Sequence, residues 1–229
     1  MFNFTWGVGF VLVNFTLFLI CYRFFGKKGL YAWIGVATVL ANIQVTKTIE
    51  MFGLVMTLGN TMYGTIYLTS DLLNEKYGQK DAKQAVWFGF FTLIMTTIIM
   101  QMVLFFDKAE GVDMAQDSLQ IIFGLMPRLA LASLTAYFCS QFLDVRIYSF
   151  LKKIVPGRNQ LWIRNNGSTA VSQLVDTAIF CTIAFTGIGY TWDVWFDIFI
   201  TTYLIKFVVS MASTPVLYIA RNFTFKDEQ

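Results

Sequence analysis

Residues Trp6–Phe25 read WGVGFVLVNFTLFLICYRFF. The run carries no charge before Arg23, and twenty residues in a helix reach about 30 Å, the thickness of a bilayer's hydrocarbon core. No basic stretch precedes it, its Arg and Lys residues follow it, and no small-residue cleavage pattern closes it. It is therefore expected to stay as a spanning helix and not to be a signal peptide. Six more apolar stretches follow: Leu30–Ile49, Phe52–Leu73, Ala85–Phe106, Leu119–Leu151, Leu161–Gly187 and Trp192–Arg221. The expected fold is an all-α polytopic membrane helix bundle of about seven transmembrane helices, filling residues 1–229 as a single integral membrane domain. The third stretch is irregular, being interrupted by Gly53, Gly59 and Gly64 and threaded by Asn60, Thr65, Thr69, Ser70 and Asp71. The fifth is longer than a simple span needs.

Composition agrees with a lipid-facing surface. Of 229 residues, 56% are hydrophobic and 14% charged, and mean hydropathy is +0.59. Soluble domains carry roughly a quarter charged residues. The net charge of +3 does not imply nucleic-acid binding, because cytoplasmic loops of membrane proteins collect Lys and Arg. Basic residues cluster after the first stretch (Arg23, Lys27, Lys28), the third (Lys76, Lys80, Lys83) and the fifth (Arg146, Lys152, Lys153, Arg158), and near the C-terminus (Arg221, Lys226). The loop Asp107–Asp117 is acidic, with Asp107, Glu110, Asp113 and Asp117 against Lys108. The positive-inside pattern predicts a multi-pass plasma-membrane protein with its N-terminus outside and its C-terminus cytoplasmic.

Catalytic constellations are missing from the sequence. There is no histidine, which removes the commonest general base and metal ligand. Cys21, Cys139 and Cys181 are isolated within apolar segments and read as small hydrophobes. No GxSxG, HExxH or phosphate-binding GxxxxGK[ST] pattern occurs. An intramembrane aspartyl enzyme would need paired Asp residues, for which Asp71 and Asp176 are the tempting candidates. No catalytic residue, metal or cofactor is expected.

Function is instead argued from polar groups placed where lipid should be. A charge at the bilayer centre costs roughly 2.5–3.5 kcal/mol on insertion scales, so it usually faces a cavity or a partner. Asp176 lies near the middle of the sixth stretch and Lys206 near the middle of the seventh. Consecutive spans are commonly neighbours, so the two can pair at mid-depth, either as a structural ion pair or as part of a ligand site. Asn165, Ser168, Thr169, Ser172, Gln173 and Asp176 recur at spacings of three and four, which puts them on one helix face. Asp71, Asn74 and Glu75 share a face at the end of the third stretch, with Asp71 the deeper of the three. In the fifth, Tyr137, Gln141 and Asp144 share a face, and Ala132, Ala136 and Ser140 form a small-residue stripe for close helix packing. Ser140–Asp144 and Ser172–Asp176 both read SQxxD, an echo of the inverted repeats found in transporters. Tyr63, Tyr67, Trp87 and Tyr137 lie near these polar positions and offer ring faces.

The run Tyr63-Gly64-Thr65 through Thr69-Ser70-Asp71-Leu72-Leu73-Asn74-Glu75-Lys76-Tyr77-Gly78, followed by Lys80-Asp81-Ala82, resembles the signature of the YhhQ-type queuosine precursor transporters. Arg128–Ser133, Gln141–Val145, Leu161–Asn165 with Ser168-Thr169, and Ser172–Thr177 are similar to later regions of that family, in order, from about Ala41 to about Val216. The chain departs at its front, where Trp6–Phe25 looks like a span added to a six-helix family core. The resemblance implies uptake of a small-molecule deazapurine: 7-cyano- or 7-aminomethyl-7-deazaguanine, or queuine. A guanine-like edge offers an N–H and an amine to a carboxylate, its carbonyl wants a donor, and its flat face suits an aromatic ring. Asp71, Asn74, Glu75, Gln141, Asp144, Arg164, Asn166, Gln173, Asp176 and Lys206 are the candidate substrate-binding residues. The alternative reading is a substrate-binding subunit of an energy-coupled uptake system, whose ATP hydrolysis would come from another protein. A homo-oligomer is compatible with either.

Overall fold

The computed structural model describes residues 2–155 and 161–225. Its first helix, α1 (Phe2–Gln44), is two helices joined at Gly26, where φ is 53° and ψ −140°. A straight helix would hold Phe18 and Trp33 about 22 Å apart. Their rings meet edge to face at 5.8 Å, so the chain doubles back at Gly26, and segments 2–25 and 27–44 lie side by side. Gly26 is the residue type this turn needs, because a side chain there would be strained at positive φ and would press on the Phe225 ring. These two segments are the first two expected spans, though the second closes at Gln44, earlier than Ile49.

The third expected span, Phe52–Leu73, is not one helix. Strands β1 (Thr48–Met51) and β2 (Leu54–Thr57) form an antiparallel hairpin, with Thr48 opposite Thr57 and Met51 opposite Leu54. Phe52 and Gly53 make its two-residue turn, both at positive φ (57° and 78°), the geometry whose twist matches paired strands. The Phe52 ring contacts Phe4 at 5.5 Å. The hairpin also qualifies the all-α expectation. Helix α2 (Asn60–Lys76) follows, 17 residues long and therefore about 26 Å.

Helix α3 (Gln79–Leu104) comes next. The long fifth stretch breaks near its start into α4 (Gln116–Phe123) and α5 (Met126–Ile154), with Pro127 in the first turn of α5, where a missing N–H is harmless. Helices α6 (Leu161–Phe185) and α7 (Trp192–Arg221) complete the order. The result is a polytopic helical bundle. Among the described residues, four stretches are both long and apolar enough to cross a bilayer: Phe2–Gln44, Gln79–Leu104, Gln116–Ser140 and Trp192–Arg221, with Ala170–Phe185 a shorter apolar helix. Large apolar side chains such as Leu12, Phe91, Ile98, Leu131 and Val208 are exposed on the outside, as lipid contact requires.

Two close approaches hold the helices in place. A Cβ on Gly64 of α2 would sit 2.1 Å from Val209 Cγ1 of α7, so α2 and α7 touch where only glycine fits. The stripe Ala132, Ala136 and Ser140 is buried against α6, the partner with which α5 shares its largest interface.

The loops sort by face. At one end Lys27 pairs with Asp81 at 2.6 Å, and Lys76 donates to the Tyr22 hydroxyl at 2.9 Å and the Phe223 carbonyl at 2.6 Å. The Gly26 turn, the α2–α3 loop and the C-terminal segment therefore meet there. The Lys27 ammonium holds the Asp81 carboxyl below its ordinary pKa. At the other end Asn3 donates to the Glu50 carbonyl at 2.8 Å, which puts residue 3 beside the hairpin. Arg158 and Lys226, two of the basic residues counted above, lie outside the described residues, as does the side chain of Lys152.

Candidate functional site

Neutral polar residues reach the bundle interior cheaply because a helix can satisfy them locally. Thr38, Thr65, Thr69 and Thr177 each donate to a carbonyl three or four residues back. A carboxylate or an ammonium has no such option and needs a partner. Asp176 on α6 and Lys206 on α7 supply one another: Nζ lies 2.7 Å from Oδ2, with side chains 7% and 4% exposed. The Ser140 hydroxyl of α5 donates to Oδ1 of Asp176 at 3.2 Å, so the serine of one SQxxD segment meets the aspartate of the other. The ammonium also lies over two rings, 5.1 Å from the Tyr63 centroid and 5.7 Å from that of Phe180, a favourable placement for a cation.

A second polar chain fixes Tyr63. The Ser133 hydroxyl donates to Asn42 Oδ1 at 3.1 Å, and the Asn42 amide donates to the Thr38 carbonyl at 2.9 Å. With its proton used, Ser133 can only accept from the Tyr63 hydroxyl, 2.8 Å away. The relay ties segment 27–44, α2 and α5 together beside the ion pair.

These groups border a cavity of about 50 Å³. Segment 27–44 gives Ile34 and Thr38; α2 gives Tyr63, Ile66, Tyr67 and Ser70; α3 gives Val86, Gly89, Phe90 and Leu93; α5 gives Ser133, Ala136 and Tyr137. Asp176 and Phe180 of α6 and Lys206 of α7 complete the wall. Phe90 and Tyr137 meet edge to face at 4.8 Å. None of these lining residues comes from segment 2–25. The volume is well below the roughly 300–1,000 Å³ of sites that enclose small molecules, so admitting a bicyclic ligand requires the helices or rings to part.

Of the other sequence candidates, Asp71, Asn74, Glu75 and Gln173 have described side chains. Asp71, Asn74 and Glu75 are exposed on α2, in the turns that follow Ser70, the last α2 residue on the cavity wall. Glu75 pairs with Arg221 at 3.2 Å, both about half exposed. Gln173 is buried one turn before Asp176, and its Oε1 has no hydrogen-bond partner among the described residues. The side chains of Gln141, Asp144, Arg164 and Asn166 lie outside the described residues, as do those of Asn165, Ser168 and Thr169. Arg128 donates to the Ile183 carbonyl at 2.6 Å and to that of Thr186, closing the C-terminal end of α6 where a cation suits the dipole. Among the described residues, no three His, Cys, Asp or Glu side chains gather as metal ligands.

Sequence reasoning missed the chain from Asn42 through Ser133 to Tyr63, since Asn42 and Ser133 are 91 positions apart and Ser133 and Tyr63 are 70, and neutral residues at such distances carry no local signal of contact.

The family described as "Putative vitamin uptake transporter" matches residues 57–220. A Bacillus subtilis protein named "Probable queuosine precursor transporter" is 53% identical over 229 residues, spanning 100% of this chain and 99% of its own. The Escherichia coli "Queuosine precursor transporter" is 22% identical over 181 residues, 78% of each chain. A Haemophilus influenzae relative, also named "Probable queuosine precursor transporter", is 25% identical over 56% of this chain and 52% of its own. No solved structure matches.

Proposed function

The chain belongs to the queuosine precursor transporters of the vitamin uptake transporter family, a family of multi-pass membrane transporters and not of enzymes, and from that membership we propose that it carries a 7-deazaguanine base across the plasma membrane through the Asp176–Lys206 site. The observation that supports this reading most directly is the ion pair itself, buried in a cavity whose wall is drawn from six separate helical segments. An ion pair kept only for packing is often no better than two apolar residues, and it gains nothing from a cavity.

In this reading the seven segments 2–25, 27–44, α2, α3, α4 with α5, α6 and α7 are seven passes, and the whole chain acts as one transporter domain. The N-terminus faces outward and the C-terminus inward, in keeping with the basic residues gathered at the Gly26 turn, the α2–α3 loop and Arg221. Asp176 accepts from the N–H and amine of the guanine-like edge once Lys206 swings to the ligand carbonyl. Tyr63, Phe180 and Tyr137 offer the flat faces. Gln173 stands one helical turn from Asp176 with a free carbonyl oxygen among the described residues, available for a ligand donor when the cavity opens. Gln141, Asp144, Arg164 and Asn166 remain candidate substrate-binding residues of this reading, while Asp71, Asn74 and Glu75 line the inward exit.

The test is uptake in cells that lack both precursor synthesis and this protein. Expression of the chain should restore queuosine in tRNA when labelled precursor is supplied, and the Lys206→Met variant should not. Failure of the unaltered chain to restore it would overturn the proposal.

A further inference from the structure

Helix α2 stops short of the end at which residue 3 and the hairpin lie, the outer end in the proposed orientation. Asn60, the first residue of α2, donates to the Thr202 hydroxyl of α7 at 3.4 Å, whereas α7 begins at Trp192. Residues 192–201 carry α7 about 15 Å further out. The β1–β2 hairpin fills the column that α2 leaves there, with β2 packed along α7. Val55 joins Val45, Leu129, Ala184 and Ile198 in one apolar cluster. Ala136 and Phe180 belong both to that cluster and to the cavity wall, and Tyr63 lies one helical turn inward of Gly59. The cluster therefore roofs the cavity on its outer side, and the hairpin is part of the roof.

The helices of the roof are fastened to one another. Trp195 of α7 donates to the Cys181 carbonyl of α6 at 3.0 Å, and Arg128 of α5 holds the Ile183 and Thr186 carbonyls. The hairpin is held more loosely. The Thr201 hydroxyl has one proton and three carbonyls in reach: Asp197 at 2.7 Å, Val55 at 3.2 Å and Ile198 at 3.2 Å. It can release Val55 of the hairpin and keep Asp197 of its own helix, so no donor is orphaned. The two strands pair with each other and carry those bonds with them when they move. A helix continuing α2 outward would have to break its ladder to do the same. Thr48, Glu50, Phe52 and Gly53 are exposed, so the far side of the hairpin is open.

The geometry points to the hairpin 48–57 as the outer gate of the cavity, a preformed flap that leaves its place between segment 27–44 and α7 to admit a ligand from outside. The inference rests on the reading of this cavity as the substrate site and of this end as the outer one. Gly59 marks the base of the flap. A Cβ there would lie 2.6 Å from both the Ala41 carbonyl oxygen and Val45 Cγ2, so an added methyl wedges the base away from segment 27–44.

The experiment uses intact cells expressing the full chain with its three native cysteines replaced. Ser133→Cys puts a thiol on the cavity wall. Its rate of reaction with a small membrane-impermeant methanethiosulfonate, read by mass at residue 133, reports access from outside. Gly59→Ala should raise that rate about fivefold or more. Val55→Cys with Thr201→Cys, oxidised before labelling, should lower it to background, and reduction should restore it. Phe4→Cys with Phe52→Cys, whose native rings meet at 5.5 Å, is a second lock at the tip of the hairpin. A rate that neither lock lowers, or that Gly59→Ala leaves unchanged, overturns the inference. So does the absence of any reaction from outside in all of these chains. Precursor uptake by the paired variants without Ser133→Cys should be lost on oxidation and regained on reduction. Uptake that persists through a lock that stops labelling also overturns the inference, because the ligand then enters elsewhere. An unaltered chain that takes up no precursor defeats the transport reading instead, and labelling at residue 133 still decides the gate. Should Gly59→Ala fail to fold, the locks decide.

Discussion

Asp176 and Lys206 are the residues on which the account turns, and their chemistry makes single and double substitutions behave differently. Removing one partner strands the other charge in the bundle interior. Asp176→Asn or Lys206→Met alone should therefore lower stability by about 3–5 kcal/mol, read as a large drop in the thermal midpoint of the detergent-solubilised protein. Tyr63 makes a smaller, separable contribution. Tyr63→Phe keeps the ring over Lys206 but leaves the Ser133 oxygen without its donor, so the expected cost is about 1 kcal/mol. A midpoint in Tyr63→Phe as low as in Asp176→Asn would mean that the relay, and not the ion pair, organises this region. Asp176 and Lys206 were legible in the sequence because each is a charge in the middle of an apolar span, where almost any explanation requires a partner. Tyr63 was legible as a ring near the polar positions, but its relay through Ser133 and Asn42 was not, because neutral polar residues are common in membrane helices and these contacts are far apart in sequence. Asp71, Asn74 and Glu75 show a different limit: their shared face was legible from spacings of three and four, and its exposure was not.

At the scale of elements, the contact between α2 and α7 is set by one missing side chain. Gly64→Ala would place a methyl 2.1 Å from Val209 Cγ1, and overpacking of this kind typically costs about 1–3 kcal/mol. Val209→Ala in the same chain removes the clashing methyl, so the double variant should regain most of the thermal midpoint lost by Gly64→Ala. If the two losses simply add, the helices are not in contact there. The spans were legible because lipid imposes length and apolarity on every crossing helix. The hairpin was not. Residues 48–57 fall between two apolar stretches and merge with both, and the turn carries Phe52 at positive φ where Asn or Gly would have announced it. The break between α4 and α5 was equally concealed within one continuous apolar run.

For the whole molecule, the Gly26 turn, the α2–α3 loop and the C-terminal segment share one end, and residue 3 and the hairpin share the other. The proposed orientation puts the first end in the cytoplasm, where its basic residues would satisfy the positive-inside pattern. With the three native cysteines replaced, single cysteines at Lys28 and Lys80 should resist a membrane-impermeant thiol reagent in intact cells and react after permeabilisation. One at Asp113 should react in intact cells. The reverse pattern would invert the orientation. Segment 2–25 packs through Phe15, Phe18 and Tyr22 against Leu30, Ile34, Leu68 and Leu72 and contributes no residue to the cavity wall.

The most direct test of the central claim replaces both members of the ion pair by apolar residues of similar size, Asp176→Leu with Lys206→Met. Such exchanges of a buried pair are often neutral or stabilising, so the thermal midpoint should stay near that of the unaltered chain while precursor uptake falls to background. A stable double variant that still takes up precursor at the unaltered rate would contradict the account, because the pair would then be a packing device and the substrate would be held elsewhere.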